Sequence, residues 1–291
     1  YYLGRIKVYY SLAKPNMVYG NLITAIGGFL LASRGEIVWE LLLAFSFGTT
    51  FIIGSACVCN NYFDRDIDSK MDRTKNRAMV QGSVSKRGAI IYGIFLCVIG
   101  FFILARFTNL LTTLVGLVGF LAYVFWYTPS KRTSMHSTLI GTISGATPVV
   151  AGYVAVTNKF DTAALILFLI LVFWQMVHFY SIGIYRKDDY KTAGLPILPV
   201  TQGIAVVRKH IIFYLIGFII LTLALGILGY TGKVYLVLIS LLGLNWLRIY
   251  GKVKKESGQS DDEKKWAKKM FLYSLVVITV FALIISFDYV K

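Results

Sequence analysis

Charge is scarce in this sequence. Asp, Glu, Lys and Arg make up 15% of it and mean hydropathy is +0.67, which excludes a disordered chain and an ordinary water-soluble domain. Cysteine is nearly absent. Cys57, Cys59 and Cys97 are odd in number and lie in or beside apolar stretches, so they exclude a disulfide framework and read as small buried hydrophobes. The Cys57-Val58-Cys59 pair alone supplies too few ligands for a closed metal site. There are five prolines and three histidines. Low-complexity tracts, clear repeats and anything like a cleavable signal are missing, although the chain opens at Tyr1 and its natural start is expected to precede that residue.

What is present is apolar sequence in long runs. Crossing a hydrocarbon layer of about 30 Å takes about 20 residues, and nine stretches approach that length: Pro15 to Ala32, Val38 to Asn60, Ala89 to Ala105, Leu110 to Tyr127, Thr138 to Val156, Thr162 to Tyr185, Ile211 to Gly229, Val234 to Leu247 and Met270 to Phe287. The expected fold is all-α, a polytopic membrane bundle of about nine transmembrane helices. Residues 1–291 would form a single integral-membrane domain, with long loops at about 61–88 and 186–210.

The net charge of +16 could suggest nucleic acid, but its distribution argues otherwise. Sorted by alternate loops, 25 basic residues fall on one side and five on the other. The positive-inside rule then places the N-terminus and the long loops in the cytoplasm and, after nine spans, the C-terminus outside. The charge reports topology, and no nucleic-acid partner is expected. A third loop, Tyr250 to Lys269, reads as a solvated, lipid-facing basic segment.

Six of the fourteen acidic residues occupy two short segments on that side. The first continues the second span without Gly or Pro, from Asn60 to Arg77. If the helix continues, Asn60, Asp64, Asp68 and Asp72 recur at i, i+4 and stack about 6 Å apart on one face. Like charges so spaced destabilise a helix by roughly 0.2–0.5 kcal/mol per pair, and a divalent cation would relieve them. Asp66 is expected to pair with Lys70 at i+4. Asp64 has no such partner, Asp68 has only Arg65 at i−3, and Asp72 could be neutralised by Lys75.

The second segment, Tyr185 to Lys191, holds Asp188 and Asp189. Adjacent residues point to different helix faces, so one of the two is expected to reach a metal, with Asp188 slightly favoured. Around the acids lie Arg73, Lys75, Arg77, Lys131, Arg132, Arg186 and Lys187. Carboxylates inside a cationic shell suit Mg²⁺ and a diphosphate: Mg²⁺ is typically held by one or two carboxylates plus substrate phosphates, and Arg and Lys bind the outer oxygens.

These motifs resemble the UbiA-type intramembrane prenyltransferases, whose pattern NxxxDxxxD is matched by Asn60, Asp64 and Asp68 and whose second aspartate-rich motif is matched at Asp188-Asp189. Arg73-Thr74-Lys75-Asn76-Arg77, Pro196-Ile197-Leu198-Pro199, Lys14-Pro15 and Trp174-Gln175 with His178-Phe179 resemble the members of that family that farnesylate haem. Val177 departs from the proline found there. The resemblance spans nearly the whole chain. It implies that Asn60, Asp64 and Asp68, with Asp188 and Asp189, hold Mg²⁺ on the diphosphate, with Asp64, Asp68 and Asp188 catalytic. It implies farnesyl diphosphate as donor, haem b as acceptor and a lipid bilayer as medium. A bacterial cytoplasmic membrane is expected, and a haem-pathway partner is not readable.

His178, inside the sixth span, and His136, in a basic loop, are the candidates for haem, the first lying about 16 Å deeper than Asp189 on nearly the same helix face. His210 reads as a surface residue. Gly141 and Gly145, before Pro148, read as close helix packing. Tyr62, Tyr123 and Trp126 are candidates for lining a prenyl pocket and shielding a carbocation. Two other classes fit parts of the pattern. One is a polyprenyltransferase for an aromatic quinone precursor. The other is an organic-anion transporter, which would be expected to place its ion site near the midplane.

Overall fold

The structure, a computed structural model, describes residues 2–252 and 260–290. It is helical, apart from an isolated bridge between Thr231 and Tyr289. In order the helices are α1 (Tyr2–Leu12), α2 (Pro15–Ser33), α3 (Trp39–Phe63), α4 (Arg65–Asp68), α5 (Lys86–Phe107), α6 (Leu110–Leu121), α7 (Thr128–Ser130), α8 (Ser137–Thr157), α9 (Thr162–Tyr185), α10 (Lys187–Thr192), α11 (Leu198–Thr201), α12 (Ile204–Ile227), α13 (Lys233–Gly251) and α14 (Ser260–Phe287). Among the described residues nine are long and apolar enough to cross a membrane, close to the expected spans. The last begins earlier: α14 extends its apolar stretch by about three turns, so Ser260–Lys269 of the third basic loop is helical. Lys254 and Lys255 of that loop, and Lys291, lie outside the described residues.

Local chemistry starts these helices where they start. Pro15 opens α2 at a position where its missing N–H is no loss. The side chains of Ser85, Asn109 and Asp161 accept from the backbone N–H of Gly88, Thr112 and Ala164 and so cap α5, α6 and α9.

Close packing follows from small residues. Gly28 of α2 lies under the carbonyl of Val149, and Gly152 of α8 lies against the carbonyl of Ala25, so a β-carbon at either position would strike backbone. This lets α2 and α8 approach as intimately as lipid-embedded helices require, since apolar burial alone draws them together little. Gly141 and Gly145 also serve close packing, against the Tyr127 ring and the Gln175 side chain.

α3 packs on α5, α2 on α8, and α9 on α8, α12 and α14, while α14 also meets α2. Two groups result, α2–α3–α5–α6–α8 and α9–α12–α13–α14, joined along the α2, α8, α9 and α14 contacts. Apolar side chains such as Ile91, Val98, Phe102 and Leu244 stay exposed on the outside, the surface that a bilayer covers. By alternation of the spans, α1, α4, α7, α10 and α11 all lie on one side, which we call the motif face.

Candidate active site

The expected unbroken helix from Asn60 to Asp72 is shorter in the structure. α3 ends at Phe63, Asp64 sits at φ −86° and ψ 2°, and α4 ends at Asp68. The i, i+4 backbone bonds nevertheless bridge the join, from Asp64 N to Asn60 O at 2.9 Å and from Asp68 N to Asp64 O at 2.8 Å. Asn60, Asp64 and Asp68 therefore keep their common face and are buried. Asp72 leaves it: its side chain is 85% exposed and pairs with Lys75.

Each buried acid has a cation that local spacing did not reveal. Lys131 donates to Asp64 Oδ2 across 67 residues, and Arg77 donates to Asp68 Oδ2 at 2.6 Å. Thr74 supports that turn by donating to the Asp68 carbonyl. Asp66 pairs with Arg132 at 2.7 Å, not with Lys70, and that guanidinium lowers its carboxyl to about 2. Arg132 is thereby tied to the rim. Lys75 turns outward with Asp72, and neither it nor Arg132 joins the buried cluster, against expectation.

Asn60 is the hub. Its Nδ2 donates to Asp64 Oδ2 at 2.7 Å and to Thr128 Oγ at 3.2 Å, and its Oδ1 accepts from the Lys14 ammonium. Burial, and then the charge of Arg77, push the Lys14 ammonium down to about 8. Thr128 follows a π-helical turn over Ala122–Tyr127, a widened geometry often found at functional sites. The Tyr123 and Tyr127 rings lie 5.4 Å apart, and the Lys131 ammonium lies 4.5 Å over the Tyr127 ring. Asn61 donates to the Leu12 carbonyl at 2.8 Å. Sequence reading assigned no site role to Lys14, Asn61, Tyr127 or Thr128; a lysine directly before proline at the mouth of a span was the one available signal.

The second motif divides its pair opposite to expectation. α9 ends at Tyr185 and the chain turns at Arg186 before α10, so Asp189 is not on the helix of His178 and their common face is lost. Asp188 is 74% exposed and bound to Lys264 at 2.8 Å, which lowers its carboxyl. Asp189 is 23% exposed and 3.5 Å from Arg186, without a hydrogen bond. Lys187 is half-buried beside Asp188, and Arg73 is exposed, its charge acting on Tyr190. Tyr190, Ala193 and Leu195 pack on Ile67 and Met71, which brings the second motif against the first.

Three buried oxygens here have no hydrogen-bond partner: Asp64 Oδ1, Asp189 Oδ2 and Asn61 Oδ1. Such orphans need an explanation: Asp189 Oδ2 faces the Arg186 guanidinium at 3.5 Å, and for Asp64 Oδ1 a cation is one that the donor set fits. Among the described residues no three of His, Cys, Asp and Glu gather into a metal site by themselves.

One turn below Asn60 a cavity of about 630 Å³, its open mouth included, begins at Cys57 and Met17. Its wall follows α3 through Ala56, Ile53 and Ile52 to Thr49, about 12 Å of helix at 1.5 Å per residue. Tyr123 and Gly145 line it as well, and Leu104 and Gly116 close its far end above the stacked rings of Phe29 and Phe45. Of the three aromatics expected there, Tyr123 alone lines the cavity. Trp126 is exposed, and Tyr62 lies under the Arg65 guanidinium.

His178 is buried between α9 and α14, stacked on Trp174, with Nδ1 2.7 Å from Ser274 Oγ. His136 is exposed at the start of α8. His210 is less a surface residue than expected, since it stacks on Tyr214.

Buried carboxylates backed by cations, set one turn above an apolar cavity inside a helical membrane bundle, suit an enzyme of amphiphilic, anionic substrates. Residues 21–275 match the UbiA prenyltransferase family, and the chain belongs to it. It is 44% identical over 285 residues to the protoheme IX farnesyltransferase of Sodalis glossinidius (strain morsitans), covering 98% of this chain and 95% of that protein. With the protein of the same name from Cronobacter sakazakii the identity is 45% over equal shares. The fold is that of a digeranylgeranylglyceryl phosphate synthase (TM-score 0.80, 20% identity, 97% of this chain and 99% of that one). It is also that of a UbiA homologue from Archaeoglobus fulgidus bound to GPP and Mg²⁺ (TM-score 0.71, 17% identity, 93% and 99%).

Proposed function

We propose that this chain transfers the farnesyl group of farnesyl diphosphate to a vinyl group of haem b, giving the hydroxyethylfarnesyl group of haem O for haem-copper oxidases. The observation that carries the chemistry is the buried Asn60–Asp64–Lys131 cluster one turn above an apolar cavity. The full-length likeness to protoheme IX farnesyltransferases carries the choice of acceptor.

The cavity takes the farnesyl chain by apolar burial, and its depth leaves the diphosphate at the motif face. Lys131, Arg77 and Arg186 bind diphosphate oxygens there, in surroundings that strengthen such contacts relative to water. Asn60, Asp64 and Asp68, with Asp189 from the second motif, would hold Mg²⁺, which would neutralise the diphosphate charge. The C1–O bond breaks, and its electron pair leaves with pyrophosphate. The Tyr123 and Tyr127 rings face the allylic cation with their π electrons. The vinyl π pair forms the new bond to C1, water adds to the resulting cation beside the porphyrin, and a proton is released.

His178 supports a haem seat. Ser274 Oγ donates to the Phe271 carbonyl at 2.6 Å, so it accepts from His178 Nδ1–H, and Nε2 retains its lone pair. A histidine that ligates iron is oriented by such a bond on its other nitrogen. His136, at the rim, is the weaker candidate.

The lopsided basic loops support a motif face in the cytoplasm, with residues 1–291 working as one domain in a bacterial cytoplasmic membrane and the C-terminus outside. Membranes containing the protein, incubated with haem b, farnesyl diphosphate and Mg²⁺ and analysed by mass spectrometry, test the reading. A haem heavier by farnesyl plus water, absent with EDTA, is expected. Prenylation of an aromatic acid in place of haem would overturn the acceptor and leave the prenyltransfer.

A further inference from the structure

Lys14 stands in the elbow between α1 and α2 with φ 51° and ψ 66°, the left-handed region. That conformation is disfavoured for a residue with a β-carbon, and the proline that follows adds its own restriction toward extended backbone. Such strain persists where surrounding structure over-determines it, and it gathers at functional sites. The surroundings here are specific. Asn61 holds the Leu12 carbonyl, Leu12 is buried against Val58, Met79 and Val84, and the Lys14 ammonium donates to Asn60 Oδ1.

The charges do not balance around this elbow. Asp64 is paired with Lys131 and Asp68 with Arg77, while among the described residues no carboxylate lies within ion-pair distance of Lys14. Among the described residues the ammonium's only hydrogen-bond partner is a neutral amide, and two of its three donors are spare. Lys14 lies one turn above Met17, and Asn60 one turn above Cys57, both of which line the cavity. Three cations thus face two carboxylates at the motif-face end of the cavity, a surplus fitted to an anion and not to a metal alone.

We propose that Lys14 binds the diphosphate, as a third cation presented by the α1–α2 elbow beside Lys131 and Arg77. The proposal rests on the donor half of the prenyltransfer reading and is independent of the acceptor. It makes the N-terminal helix part of the substrate site: α1 and its anchors, Asn61 foremost, position the ammonium.

Lys14→Gln keeps a hydrogen-bond donor for Asn60 and removes the charge, and Lys14→Arg keeps the charge. In membranes, Lys14→Gln is expected to raise KM for farnesyl diphosphate by about tenfold or more, the worth of one charge-assisted hydrogen bond. It should weaken inhibition by inorganic pyrophosphate in parallel and leave KM for haem b unchanged, while Lys14→Arg recovers most of the difference. A Lys14→Gln protein within twofold of wild type in both donor readouts would overturn the proposal, as would an equal loss with either substrate. Should the variants not fold, amine acylation of the wild-type protein read by peptide mass spectrometry decides. Pyrophosphate with Mg²⁺ is expected to protect Lys14 and Lys131 but not Lys75, and an unprotected Lys14 overturns the assignment. If pyrophosphate binds as described and haem b is not prenylated, the acceptor reading fails and the Lys14 assignment stands.

Discussion

Lys131 and Asp64 are 67 residues apart in the chain and form one ion pair at the floor of the motif face, each side chain less than a fifth exposed. Removing either member has different consequences. Asp64→Asn leaves a neutral, isosteric side chain and is expected to reduce turnover by about 10²–10³-fold or more, the range for loss of one preorganised electrostatic group, with the protein still folded in the membrane. Asp68→Asn should behave alike. Lys131→Met leaves the carboxylate without its counter-ion, which costs about 3–5 kcal/mol, so it should lower the melting temperature as well as the rate. Turnover in an Asp64→Asn, Asp68→Asn double variant would remove the metal assignment.

The two aspartates of α10 can be separated in the same assay. Asp189 points inward with a buried, unbonded oxygen, and Asp188 points outward to Lys264. Asp189→Asn is therefore expected to lose at least about 10²-fold in rate, and Asp188→Asn to stay within threefold of wild type. The reverse order would show that α10 rotates when substrate binds.

The Asp66–Arg132 pair sits at the rim, and its worth is small, within about 0.2–1 kcal/mol for an exposed pair. The Arg132 guanidinium holds the folded carboxyl at about 2, below its ordinary 3.8. A depressed acid contributes its stability above the unfolded value and loses it as pH falls from 3.8 through 2. Asp66→Asn should thus leave activity and neutral-pH stability nearly unchanged. A stability difference between variant and wild type that grows as the pH is lowered from 5 to 3 would contradict the pairing.

Leu104 closes the far end of the cavity, fully buried between Gly48 and Gly116. Leu104→Ala deepens that end and is expected to destabilise the bundle by about 2–5 kcal/mol. Competition between farnesyl diphosphate and a longer prenyl diphosphate, read as product mass, should shift toward the longer donor. An unchanged ratio would place the end of the prenyl site elsewhere.

Much of this molecule is legible without coordinates. The nine spans follow from hydropathy because a bilayer leaves helix as the way for such a segment to satisfy its own backbone. The triplet Asn60, Asp64 and Asp68 is readable because four residues is nearly one turn, and the i, i+4 bonds persist across the break at Asp64. Asp72 was misplaced because nothing in the spacing marks where the last turn ends.

What only the tertiary structure decided is which charges meet. The partners of Asp64, Asp66 and Asp68 lie 67, 66 and 9 residues away, and no periodicity carries pairings set by how helices cross. The choice between Asp188 and Asp189 depends on the turn at Arg186, and the exclusion of Trp126 from the cavity on the π-helical turn that holds it. The sequence by itself determined the class of protein, its membrane spans and the atoms available for the chemistry, since those depend on hydropathy and local spacing. The floor of the cavity, the inward aspartate and the place of Lys14 over its mouth came from packing between segments distant in the chain, where the geometry of contact decides.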